Sequence, residues 1–216
     1  WCIDLICEQY YNRQKRIYSY KRICTQFAER QKAGVGMASP KSCAILGHNP
    51  MRFAWGFDEE AAECHDMKME LAQQIMVLRQ QGVTHFSVAC DYGVGLYAAE
   101  IINALRNDDS ELMLFCITPY EEQATKWTPA LRERYFDMLI KCTHMTAVSL
   151  HKQPDAQLKA YRTIIRQSDM VLAVYDPASA RGDDTDKAIS YARELRHPML
   201  MIHPDTLKTT YSCVEV

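Results

Sequence analysis

Hydrophobic positions along the chain alternate between short continuous apolar runs and longer stretches in which apolar residues recur every three or four positions. The continuous runs predict β-strands over Ser42–Leu46, Thr84–Cys90, Glu111–Ile117, Thr146–Leu150, Met170–Tyr175 and Met199–Ile202. The periodic stretches predict helices over Glu59–Gln81, Leu96–Arg106, Thr128–Lys141, Asp155–Gln167 and Asp184–Arg196. This alternation predicts an α/β fold with a mostly parallel sheet of about five to six strands and helices on both faces.

The pattern divides the chain into three segments. Residues 1–36 form a basic and aromatic segment, in which lysines and arginines interleave with tyrosines. Two hypotheses stay open for it: an arm that contacts nucleic acid, or a helix that packs an apolar stripe on the domain or on a second subunit. Residues 37–204 are predicted to form one domain, and residues 205–216 a tail over its surface.

Composition excludes several classes of protein. The net charge of −2 gives no overall signature of nucleic-acid or membrane binding. No apolar run approaches the ~20 residues that a bilayer span needs. The nine cysteines are scattered and form no C-x-x-C pair, which favours reduced, structural thiols in a cytoplasmic protein over a disulfide framework or a metal site. We expect neither a cofactor nor a metal.

The stretch from Thr84 to Glu100 carries the clearest sign of a ligand site. A predicted strand ends at Cys90, the glycines Gly93 and Gly95 follow, and a helix then begins. This arrangement places free backbone N–H groups and the positive end of a helix dipole beside the carboxyl end of a strand, where open α/β sheets bind ligands. We expect the Asp91 side chain in this turn to be exposed, and the Cys90 thiol to pack in the core.

Six short motifs occur in an order that resembles a known family. They are Gly47-His48-x-Pro50, Gly82–Phe86, Gly93-Val94 with Ala98-Ala99-Glu100, Ser168-Asp169, Ala173–Asp176 and Tyr191-Ala192. Across residues 42–204 they look like the YpsA-like branch of the SLOG superfamily, whose Rossmann-like domains are related to the cytokinin-activating phosphoribohydrolases and to the DNA-processing protein DprA. The resemblance implies a Rossmann-like fold with a cleft for a nucleotide or a nucleotide-derived ligand.

The chain departs from the family pattern at its phosphate loops. Ala89-Cys90 replaces a glycine pair, and Asp183-Asp184-Thr185 replaces G-G-T, so side-chain bulk and negative charge stand where a phosphate would bind. Asn49 replaces an arginine, for which Arg52 is a candidate substitute. Ala188 stands where the hydrolase relatives carry their glutamate.

These observations predict a sensor or sequestering module that binds a nucleotide-derived small molecule. A nucleotide-processing N-glycosyl hydrolase is the alternative, with Glu100 or Asp91 as weak catalytic candidates. Nucleic-acid binding through residues 1–36 is a further alternative, although neither nucleic acid nor a membrane is the expected partner, and self-association stays open. The predicted ligand-binding residues are Gly47, His48, Asn49, Cys90, Asp91, Gly93, Val94, Gly95, Asp176, Gly182, Asp183, Asp184 and Thr185.

Overall fold

A computed structural model of the protein describes residues 40–212, so the predicted arm of residues 1–36 and the last four residues lie outside the described part. Within residues 40–212 the chain forms seven strands: β1 (Ser42–Gly47), β2 (His85–Val88), β3 (Met113–Thr118), β4 (His144–Ala147), β5 (Met170–Val174), β6 (Met199–Ile202) and β7 (Thr209–Ser212). The same residues form five α-helices: α1 (Ala62–Gln80), α2 (Val94–Leu105), α3 (Pro129–Lys141), α4 (Ala156–Arg166) and α5 (Asp184–Glu194). The predicted α/β fold and the five predicted helices are confirmed.

All strands form one sheet in the order β4-β3-β2-β1-β5-β6-β7, counted over the described residues. Every pairing is parallel except that of β6 with β7. The chain builds outward from β1 through β4 and then returns to place β5 on the other side of β1. The order of the strands therefore reverses between β1 and β5, and the carboxyl ends of these strands are where an open α/β sheet binds its ligand.

The sheet contains one strand more than the sequence predicts. Strand β7 covers Thr209–Ser212 and pairs antiparallel at the outer edge, within the segment predicted to be a tail. Its composition of threonine, tyrosine and serine gives no continuous apolar run. By contrast, all five residues of β5 are buried, as expected for a strand covered by helices on both faces.

Each face of the sheet carries its own helical layer. Helices α4 and α5 pack against each other and against Ala44, Leu46, Val171 and Ala173 of the two central strands. Helices α1, α2 and α3 pack together on the opposite face. Because each crossover helix begins at the carboxyl edge of the sheet, the first turns of α2, α4 and α5 surround the point where the strand order reverses.

No helix within residues 40–212 combines the length and the apolar character that a bilayer span requires.

Candidate functional site

Three turns meet at the carboxyl ends of β1 and β2 and at the start of α5. The Thr185 hydroxyl donates a hydrogen bond of 3.0 Å to the Gly47 carbonyl. A Cβ on Gly47 would overlap the Val94 side chain, so α2 approaches the end of β1 at a distance that only glycine permits. Gly93 has φ 109°, and its backbone lies so close to Pro50 that a Cβ would be 2.8 Å from the proline ring. The turns at Gly47, Gly93 and Thr185 therefore lie against one another.

The close approach of α2 to β1 gives a first testable expectation. We expect Gly47→Ala to lower the free energy of unfolding by about 2 kcal/mol, because the added methyl overpacks the contact with Val94. The double variant Gly47→Ala/Val94→Ala removes Val94 Cγ2, the atom nearest to the added methyl, and so relieves part of the overlap. Urea unfolding of wild type, of both single variants and of the double variant forms a double-mutant cycle. Additive effects in that cycle would contradict the contact.

His48 connects the end of β1 to the end of β5. Its Nε2 atom accepts a hydrogen bond of 3.0 Å from the backbone N–H of Asp176, and its ring lies 4.6 Å from the Tyr175 ring. Burial lowers the pKa of His48, and the neighbouring Arg52 charge acts in the same direction. The neutral ring that accepts at Nε2 carries its proton on Nδ1.

Asp91 follows β2 directly, and its carboxyl group is turned inward. The Tyr161 hydroxyl from α4 donates a hydrogen bond of 3.0 Å to Asp91 Oδ2. Gln157 and Thr185 lie beside the same hydroxyl group. The expectation that the Asp91 side chain is exposed is wrong for its carboxylate, because Oδ1 is shielded from solvent against the backbone of Gly95.

Burial raises the pKa of Asp91 to about 6, and the hydrogen bond from Tyr161 offsets only part of this effect. A carboxyl group with such a pKa exchanges its proton near neutral pH, as a general acid or base must. It also keeps the capacity to accept hydrogen bonds from a ligand when it is ionised.

The loop before α5 forms an anion site that the protein occupies itself. Asp186 Oδ2 accepts hydrogen bonds from three successive backbone N–H groups, at 2.6 Å from Arg181, 2.6 Å from Gly182 and 3.1 Å from Asp183. Asp186 Oδ1 accepts a fourth, of 2.9 Å, from the Tyr175 hydroxyl. Burial alone would raise the pKa of Asp186, but these donors lower it to about 2. A side-chain carboxylate thus fills the nest of N–H groups that elsewhere binds phosphate.

Arg52 closes the same loop from the side of β1. Its guanidinium contacts Asp183 at 2.5 Å and Asp186 at 3.5 Å, and it also donates to the Ser179 carbonyl. Only 6% of the Arg52 side chain is exposed. The guanidinium proposed as a substitute phosphate ligand is therefore bound to the protein's own carboxylates.

The remaining predicted site residues have partners within the protein. Asn49 accepts from the N–H of Met51 and caps a short 3₁₀ turn at Pro50–Arg52, and Asp184 pairs with Lys187 at 3.7 Å. Both carboxylate oxygens of Glu100 accept from Arg134, at 2.7 and 2.9 Å. The Cys90 thiol is buried as expected. Residues 40–212 contain no cluster of three or more His, Cys, Asp or Glu side chains arranged to hold a metal ion.

Three important residues are absent from the sequence-based set. Asp186 could have been found, because Asp183 and Asp186 form a reciprocal capping box, whose D-x-x-D spacing is a recognisable helix start. Tyr161 and Gln157 carry no such signal. Tyr161 reaches Asp91 across a separation of 70 residues, and Gln157 lies beside the Tyr161 hydroxyl. Nothing in their local sequence distinguishes them from other polar positions of a helix.

Comparison with known proteins identifies the family of this chain. The family model for the YpsA SLOG family matches residues 43–207. A UPF0398 protein of Halalkalibacterium halodurans is 32% identical over 114 residues, which cover 51% of this chain and 59% of that protein. A UPF0398 protein of Bacillus cereus is 27% identical over 139 residues, covering 63% of this chain and 74% of that protein.

Among solved structures, DNA processing protein A from Helicobacter pylori is similar in fold, with a TM-score of 0.50 and 15% sequence identity. The similarity covers 76% of this chain and 65% of that one. The structure of the Helicobacter pylori protein was solved to show how that protein binds single-stranded DNA.

Proposed function

Because the chain belongs to the YpsA SLOG family, we propose that it binds a nucleotide or a nucleotide-derived small molecule where β1, β2 and β5 end, as a sensor or sequestering module. We call this place the switch-point cleft and define it by Gly47, Asp91, Gly93, Gln157 and Thr185. These residues come from four separate parts of the chain and surround the reversal of strand order.

The observation that carries the proposal is a set of buried polar atoms at the cleft. Asp91 Oδ1 and His48 Nδ1 are among the buried side-chain atoms of residues 40–212 that have no hydrogen-bond partner. Gln157 Nε2 is buried as well, and of its two N–H groups only one is needed by the neighbouring Tyr161 hydroxyl. Buried polar atoms in native proteins are nearly always paired, because an unpaired one retains its full desolvation penalty. A polar ligand with both donors and acceptors would satisfy the acceptor on Asp91 and the donor on Gln157.

The same geometry favours binding over turnover. Arg134 holds Glu100, and Ala188 is fully buried in the core, so neither position offers a free carboxylate to a glycosidic bond. Asp91 is the candidate that an N-glycosyl hydrolase would have to use.

Titration calorimetry against nucleotides, ADP-ribose derivatives and cyclic dinucleotides tests the proposal. We expect at least one compound to bind, and Gln157→Ala to weaken it about tenfold through loss of one hydrogen bond in the cleft. Gln80→Ala, an exposed change of the same kind in the last turn of α1, should leave the affinity unchanged. Failure of every compound to bind protein that circular dichroism shows to be folded would contradict the proposal.

A second candidate function, nucleic-acid binding, is favoured by a basic hollow on α4. Its lining residues are Val148, Lys159, Arg162, Thr163, Arg166 and Tyr191. The Arg162 guanidinium lies 5.3 Å from the centre of the Tyr191 ring. Cationic grooves with an aromatic side chain are typical of sites that bind single strands, and the similar protein from Helicobacter pylori binds single-stranded DNA.

Fluorescence anisotropy with a labelled oligonucleotide tests this second candidate. We expect Arg162→Gln/Arg166→Gln to weaken binding and to reduce the slope of log affinity against log salt by about 1.4, since each of the two lost phosphate contacts changes it by roughly 0.7. Arg132→Gln/Lys141→Gln removes the same charge from α3, on the opposite face, and serves as the control. Equal losses in both double variants, or an unchanged slope, would contradict a site on α4.

A further inference from the structure

The two helix starts at the switch-point cleft where a phosphate would be expected are already faced by carboxylates of the protein. Asp186 fills the N–H nest before α5. At α2, a Cβ on Gly95 would overlap Asp91 Oδ1, so this carboxylate lies directly over the first turn of the helix. The positive end of each helix dipole therefore has its anion in place.

The nest before α5 is closed by several contacts at once. Arg52 pairs with Asp183 and Asp186, Tyr175 donates to Asp186, and Asp186 also completes the capping box of α5. A ligand phosphate would have to displace the carboxylate from three backbone donors and would then meet it as a like charge.

The cleft still offers one acceptor and one donor with matched chemistry. Asp91 Oδ1 accepts only and has no partner within the described range. Gln157 Nε2 donates only and has two N–H groups; one of them serves the neighbouring Tyr161 hydroxyl, which leaves the other for a ligand. Tyr161 holds the other Asp91 oxygen and fixes the orientation of the carboxylate. One hydroxyl group can donate to a carboxylate and at the same time accept from an amide N–H. A vicinal diol offers two such hydroxyl groups side by side.

We propose that the switch-point cleft recognises its ligand through the hydroxyl groups of a ribose, with Asp91 as acceptor and Gln157 as donor, and that no phosphate of the ligand enters the loop before α5. The ligand class is then a ribonucleoside or the nucleoside part of a larger molecule, a refinement that rests on the proposed function. An acidic side chain after the second strand plays this part for ribose in other Rossmann-like proteins.

Calorimetry with matched compounds on the full chain tests this inference. The panel contains the four ribonucleosides, their 2′-deoxy counterparts, their 5′-monophosphates and inorganic pyrophosphate. We expect a ribonucleoside to bind, its 2′-deoxy counterpart to bind about tenfold more weakly through loss of a charge-assisted hydrogen bond, and the 5′-phosphate to change the affinity by less than about threefold. Pyrophosphate should neither bind nor compete.

The variant Asp91→Asn keeps the size of the side chain and removes its charge. The ratio of the affinity for a ribonucleoside to that for its 2′-deoxy counterpart should therefore fall to about one. Asp137→Asn, an exposed carboxylate on α3, should keep the preference. Binding that depends on the phosphate, competes with pyrophosphate and ignores the 2′-hydroxyl would overturn this inference and leave the proposed function standing. Absence of binding by every nucleoside and nucleotide would overturn both.

Discussion

Replacement of Asp186 by alanine is expected to lower the free energy of unfolding by about 3 to 4 kcal/mol. The change removes the acceptor of three backbone N–H groups and of the Tyr175 hydroxyl, and it takes one counter-charge from the buried Arg52. Charge-assisted hydrogen bonds contribute about 1.5 to 3 kcal/mol each, and breaking a buried ion pair costs about 3 to 5 kcal/mol. Asp183 still pairs with Arg52, which keeps the expected loss toward the lower part of this range.

Urea unfolding of wild type, Asp186→Ala and Asp184→Ala measures this loss, with equal m-values as the check for a comparable transition. Asp184 is the matched control, because it lies two residues away in the first turn of α5 and makes a single long contact of 3.7 Å to Lys187. Its replacement should cost less than about 1 kcal/mol.

The vacated nest gives a second readout on the same variants. Inorganic phosphate should raise the melting temperature of Asp186→Ala, because three backbone donors have then lost their acceptor and can bind it, and should leave wild type unchanged. Equal stabilisation of both proteins, or a loss below about 1 kcal/mol in Asp186→Ala, would contradict the self-occupied anion site.

The second large effect is a pH dependence that belongs to Asp91. Burial raises its pKa from 3.8 to about 6 in the folded protein. Folding therefore favours the protonated carboxyl, whose contribution to stability is fully present below about pH 3.8 and is lost as the pH rises through about 6. Each unit of pKa difference is worth 1.36 kcal/mol, so the loss is roughly 3 kcal/mol.

Urea unfolding of wild type and Asp91→Asn across this pH range isolates the contribution of Asp91, because asparagine does not titrate. Wild type should lose roughly 3 kcal/mol relative to the variant between acid and neutral pH. The difference in unfolding free energy between wild type and Asp137→Asn should change little with pH, since that carboxylate is more than half exposed. A flat difference for Asp91→Asn would show that its carboxyl group is solvated rather than buried.

The sequence predicts the frame of the fold because its strongest signals are local. The unbroken apolar run of β5 and the helical spacing of the five helices leave few alternatives, and glycine with threonine marks the turns that converge at the cleft. Strand β7 escapes prediction because it is four residues long, polar and at the edge, so it has neither a continuous apolar run nor a clear alternation.

The chemistry of the cleft depends on contacts that no local pattern encodes. The sequence indicates surplus negative charge at the start of α5, at Asp183 and Asp184. The nest is nevertheless filled by Asp186, through backbone donors that only the folded loop aligns. The local sequence of Asp91 is that of an exposed turn residue, but in the fold Tyr161 of α4 packs over its carboxylate and hydrogen-bonds to it. Such groups are perturbed by tertiary burial, and burial of a polar side chain is what sequence periodicity predicts least well.

The most direct test of a ligand cleft at the switch point is an amide NMR spectrum of the assigned protein, recorded while a ribonucleoside is added. A ligand bound there should cause shifts that saturate and that cluster at residues 47–48, 90–95, 157–161 and 183–186, with the far ends of α1 and α3 unaffected. Saturating shifts confined to the basic hollow on α4, or spectra that do not change for any nucleoside or nucleotide, would contradict it.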